Sequence, residues 1–140
     1  MALIFFASTG EFSAANTSRI IRPILLWLFP HLSEQRIALV NFLVRKTAHF
    51  AEYAILSLLA ARAFFGSSLG VLRRVWFPAT LLLVAVYALA DEYHQGLVPS
   101  RTASIYDSLI DMAGGLTALL LLAYWHWRRS HTLKFRGPTA

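Results

Sequence analysis

The chain has 140 residues, which fits one domain; 57% of them are hydrophobic and only 14% charged, far from the balance of soluble domains and close to that of integral membrane proteins. Cysteine is absent, which excludes a disulfide framework and any thiolate metal site. The net charge of +6 comes from 13 basic against 7 acidic residues, and in so apolar a chain it reads as cytoplasmic anchoring, not nucleic-acid binding.

The first stretch, MALIFFA, is apolar but too short to cross a bilayer, and it lacks the basic start of a signal peptide. It reads as the tail end of a first span whose upstream part is missing from this reading frame. STGEFSAANTS follows as a polar turn. Residues 19–30 (RIIRPILLWLFP) and 34–44 (EQRIALVNFLV) mix basic with apolar positions and predict two interfacial helices. Three runs then approach the ~20 apolar residues that a span requires: 47–65, 75–93 and 104–127. Each must be helical, because a span satisfies its backbone hydrogen bonds internally. Pro78 falls in the first turn of the second, and Ser104 with Asp107 reads as a capping box opening the third.

The predicted fold is therefore all-α: a single integral membrane helical bundle over 1–140. It divides into a partial first span and turn (1–17), interfacial helices (18–44), a three-span core (45–127) and a basic cytoplasmic tail (128–140).

Arg62, Arg73 and Arg74 lie two crossings away from Arg128, Arg129, Lys134 and Arg136, so these bases share one side, and no acid accompanies them. The positive-inside rule makes that side, and the C-terminus, cytoplasmic, with Trp76, Trp125 and Trp127 as an aromatic belt. The opposite side also carries bases, but mostly in the long segment 8–46, which weighs less. All the acids fall on the outer side or in the outer half of a span.

These acids sit among other polar groups at regular spacing. Lys46, His49, Tyr53 and Ser57 form one helical stripe, with Glu52 on its shoulder. Asp91 and His94, and Glu92 and Gln95, are three apart. Asp107 and Asp111 are four apart and continue toward Gly114, Gly115 and Ala118, small residues that let another helix approach. Taken singly, each has a plain structural role: an interfacial anchor for Arg45 or Lys46, a cap for Asp107, a headgroup contact for Arg101. Taken together, they are costly, because a charge inside a span costs at least ~2.5 kcal/mol. Such groups pair with one another or line a wet cavity, which leaves two readings: an ion-pair network or a ligand pocket. The pocket residues would be Lys46, His49, Tyr53, Glu92, His94, Gln95, Arg101, Asp107 and Asp111. Catalytic candidates are His49, Glu92, His94 and Asp91, as histidine–carboxylate acid–base pairs. Neither HExxH nor a Walker loop nor GxSxG occurs, and neither a metal nor a cofactor is expected.

RKTAHFAEYAIL at 45–56, DEYHQGLVPSRTASIYD at 91–107 and DMAGG at 111–115 together resemble the VanZ-like family. Its pattern is K-x-x-H-F-x-x-Y, then D-E-x-H-Q, then P-x-R, then an aspartate before a glycine-bearing last helix. Lys46, His49, Phe50 and Tyr53 match the first block; Asp91, Glu92, His94 and Gln95 the second; Pro99, Arg101, Asp107 and Gly115 the rest. The likeness covers about 45–120, with a weaker echo in STGEFS; the shortened first helix departs from it. The resemblance implies a small bacterial membrane protein of about four helices, the founding member being associated with low-level teicoplanin resistance. It supplies no reaction and no ligand.

Two functions follow as expectations. One is a non-catalytic protein of the bacterial cytoplasmic membrane whose outward pocket binds an anionic lipid-linked or amphiphilic ligand, such as a cell-wall precursor headgroup or a lipoglycopeptide. The other is a membrane-embedded hydrolase or transferase acting on a lipid-linked wall precursor. Membrane lipids are partners in both, and nucleic acid in neither.

Overall fold

The computed structural model describes residues 14–97 and 105–135, with side chains described over 18–97 and 105–131. Five helices occur there: α1 (Ala14–Leu28), α2 (Glu34–Phe65), α3 (Gly70–Arg74), α4 (Trp76–Gly96) and α5 (Ile105–Phe135), with no strand among the described residues. The all-α expectation holds. The partial first span, the STGEFS turn, Ser104 of the capping box and Arg101 lie outside the described residues.

Two boundaries differ from the sequence reading. The separate interfacial helix expected at 34–44 does not exist: it runs without a break into the next segment, forming the 32-residue α2. No Gly or Pro interrupts Glu34–Phe65, so nothing stops propagation. Asn41, Arg45 and Lys46 change what the helix touches and leave its course intact. α2 ends at Gly66, whose N–H returns to the Arg62 carbonyl at 3.0 Å. The helix expected at 19–30 is found as α1, starting earlier and passing through Pro23. It is tied to α2 by Asn41 Nδ2 donating to Ser18 Oγ at 3.3 Å and by an Arg22–Glu34 ion pair.

The expected count of three full spans is also corrected. Two helices among the described residues are long and apolar enough to cross a bilayer, α2 and α5. α4 has 21 residues, roughly 32 Å of helix, so its length suffices. Its composition does not, because Pro78 at one end and Asp91 to Gln95 at the other dilute the apolar run.

α5 packs along α2 and α4, and α2 also touches α4. Contacting pairs fix the directions. Lys46 meets Asp107, His49 meets Asp111, and Ser57 Oγ donates to the Gly115 carbonyl at 2.9 Å, so α2 and α5 run parallel. Ser108 Oγ donates to the Ala88 carbonyl at 3.3 Å, while Gly115 faces Val84, so α4 runs antiparallel to both. The far end is closed by aromatic rings: Phe65 stacks on Trp76 at 4.6 Å and on His126 at 5.0 Å.

The distribution of polarity is inverted relative to a soluble domain. Tyr53, Leu56, Val84 and Ala88 form the apolar core, but Ser57, Thr80, Glu92, Gln95, Ser108 and Asp111 are buried with them. Leu39, Phe42, Leu59, Leu82, Val86 and Leu121 point outward. Large apolar faces outside and polar groups inside suit a lipid surround.

Gly114 and Gly115 allow this packing. A Cβ on Gly114 would lie 2.2 Å from the Phe50 carbonyl oxygen, and one on Gly115 would lie 2.6 Å from Val84 Cγ1. The first obstacle is backbone and cannot swing aside. Gly114→Ala should therefore lower stability by at least about 1–3 kcal/mol, the usual cost of overpacking, and by more than Gly115→Ala. Thermal unfolding in detergent measures it; a Gly114→Ala protein as stable as the parent contradicts the packing described.

Candidate functional site

The polar groups cluster where the N-terminal half of α2, the C-terminal end of α4 and the start of α5 meet. This follows from helix direction: two parallel helices present their beginnings at the same end as the finish of the antiparallel helix between them.

Lys46 Nζ donates to Asp107 Oδ1, with 20% and 23% of the two side chains exposed. Lys46 also lies over the Phe42 ring, 5.3 Å from its centroid. One turn along, His49 Nδ1 faces Asp111 Oδ1 at 3.4 Å. Asp111 is 1% exposed, and neither of these two atoms makes a hydrogen bond. Asp91 reaches the same place from α4: one donor atom each from His49, Asp91 and Asp111 all lie within 4.8 Å of one another. Gln95 Nε2 donates to Asp91 Oδ2 at 2.9 Å and so fixes that carboxylate. Tyr53, one turn beyond His49, is fully buried, and its hydroxyl has no hydrogen-bond partner. Asp91, Asp111, Glu52 and Glu92 all act electrostatically on it.

The structure thus brings together Lys46, His49, Tyr53, Asp91, Gln95, Asp107 and Asp111. Glu92 is buried beside Asp91 on α4, and His94 is half-buried one turn beyond. Arg101, expected to clamp an anion, lies outside the described residues. Three details escaped the sequence reading. Gln95 bonds Asp91, four residues before it, a pairing its spacing to Glu92 did not suggest. Ser108 joins α5 to α4; its signal was the seven-residue spacing to Gly115, which puts both on one face. The donor set of His49, Asp91 and Asp111 comes from three helices, so no local spacing announces it.

Chemically, the cluster is richer in carboxylates than in bases. Its lysine is already engaged by Asp107, so the described residues favour a cation, or a ligand carrying one, over a bare anion. The nearby hydroxyls of Ser57 and Ser108 donate to backbone carbonyls and are not activated as nucleophiles.

Charge reversal tests the Lys46–Asp107 pair. Lys46→Asp or Asp107→Lys alone should cost about 2 kcal/mol, below the ~3–5 of a fully buried pair because part of each side chain stays exposed. The double swap should recover most of that loss in detergent unfolding. A double variant no more stable than the worse single one would show that the two charges do not meet.

A family model described as VanZ/LLP1 matches residues 1–126. No curated protein and no solved structure matches the chain.

Proposed function

Since the chain belongs to the VanZ/LLP1 family, we propose that the polar end of its bundle is an outward-facing binding site in a bacterial cytoplasmic membrane, taking the headgroup of a lipid-linked or amphiphilic ligand. Family membership together with two helices long and apolar enough to cross a bilayer supports reading it as a membrane protein. The observation that carries the rest is the convergence of Lys46, His49, Asp91, Asp107 and Asp111 from three helices onto one end. Charged groups held in a lipid-surrounded bundle mark functional sites.

The orientation rests on charge. α2 and α5 run parallel, so the ends carrying Arg62 and Arg128–Arg129 share a side, with Arg73 and Arg74 in the connection beside them. Positive-inside puts that side in the cytoplasm and the polar cluster at the outer face. A site there meets outer-leaflet headgroups, cell-wall precursors and lipoglycopeptides. Arg101, in the segment joining α4 to α5, would supply the fork that a phosphate or carboxylate on the ligand requires. The enzyme reading gains no serine nucleophile, because the Ser57 and Ser108 hydroxyls donate to backbone carbonyls.

Single cysteines test the topology cleanly, since the chain has none of its own. Ser100→Cys should react with an impermeant maleimide on intact cells and Ser130→Cys only after lysis; the reverse pattern rejects the orientation.

Binding is tested in a host whose lipoglycopeptide susceptibility depends on this protein. Lys46→Met with Asp107→Leu removes both charges together and should leave a stably inserted chain. It should nevertheless abolish the phenotype, as should Arg101→Lys, which keeps the charge and loses the fork. Full phenotype in both, at normal protein level, rejects the binding site.

A further inference from the structure

We infer that His49, Asp91 and Asp111 form a site for one first-row divalent cation, with the Tyr53 hydroxyl placed to hold a water on it. The inference goes beyond the ligand-binding reading and does not depend on which headgroup the site takes.

Three observations carry it. First, the donor set is complete for a catalytic-type or open cation site: one imidazole and two carboxylates, from α2, α4 and α5, all within 4.8 Å of one another. Ligand bonds of about 2.0–2.2 Å put two donors on a tetrahedral cation roughly 3.4 Å apart. His49 Nδ1 and Asp111 Oδ1 already stand 3.4 Å apart as an ion pair, without the geometry of a hydrogen bond. That separation is long for a charged hydrogen bond and right for two atoms sharing a cation.

Second, the carboxylate from α4 is oriented by a neighbour: Gln95, itself 3% exposed, donates to Asp91 Oδ2 at 2.9 Å. Metal ligands are held in this way by outer hydrogen bonds.

Third, a buried polar atom points to a bound ligand. The Tyr53 hydroxyl is buried without a hydrogen-bond partner, one turn from His49 on the same face, and the groups acting on it are all acidic. A cation held by the three donors carries water in its remaining positions, and such a water gives that hydroxyl the partner it lacks. Mixed imidazole and carboxylate donors suit Zn2+ or Mn2+, whereas Ca2+ takes six to eight oxygens.

The test uses the full chain, purified in detergent, stripped with chelator and titrated with Zn2+ alone and with Mn2+ alone. One cation should bind per chain. Gln95→Ala should weaken binding about 10–100-fold, and Asp91→Asn, which removes a ligand, should weaken it more. His126→Gln with His131→Gln, at the opposite end, should leave it unchanged. Pulsed electron paramagnetic resonance of the Mn2+ form should detect one histidine nitrogen, a readout that the parent protein gives even where a variant fails to accumulate. Absence of saturable binding by the helical protein overturns the site. So does binding that survives Asp91→Asn, follows the two distal histidines, or carries no nitrogen coupling.

Discussion

The close approach of α5 to α2 at Gly114 sets everything else. There the Phe50 carbonyl occupies the space a side chain would need. Because the helices meet this tightly and run parallel, their registers are locked, and residues one turn away fall opposite each other: His49 opposite Asp111, Lys46 opposite Asp107. A looser crossing would leave the same charges several ångströms apart, in surroundings where an isolated charge is expensive. In a lipid surround the hydrophobic effect does not drive helices together, so small-residue contacts and interhelical polar bonds have to do it. The Ser57–Gly115 and Ser108–Ala88 hydrogen bonds are of that kind.

The consequence is a bundle whose two ends differ in chemistry. One end stacks Phe65, Trp76 and His126 and carries Arg129 over Trp125 at 3.8 Å. The other gathers carboxylates, a histidine and a lysine. Between them lies an interior small enough to hold Tyr53, Leu56, Val84 and Ala88. Tyr53 joins the two regimes, its ring in the apolar core and its hydroxyl at the acidic cluster. Carboxylates outnumber bases in that cluster, and its lysine is paired with one of them.

Much of this was legible along the chain. The stripe of Lys46, His49, Tyr53 and Ser57 obeys helical spacing, as do Asp107, Asp111 and Gly115, and each stripe does face a neighbour. What could not be read was who faces whom. His49 could have met Glu92 as easily as Asp111, because pairing depends on the crossing register that Gly114 sets, and no local spacing encodes it. The continuity of α2 was not legible either: 34–44 mixes basic with apolar positions as an interfacial helix would, yet no Gly or Pro separates it from the apolar run that follows. α4 was taken as a full span because its middle is apolar, while the acids that take part in the cluster dilute its end.

A double-mutant cycle on His49 and Asp111 most directly tests whether the register creates the site. His49→Gln, Asp111→Asn and the double variant would be unfolded in detergent beside the parent. A coupling of about 1–3 kcal/mol is expected for two side chains in contact. Additivity to within about 0.3–0.5 kcal/mol would mean that the two residues do not meet, and that α2 and α5 are not packed as described.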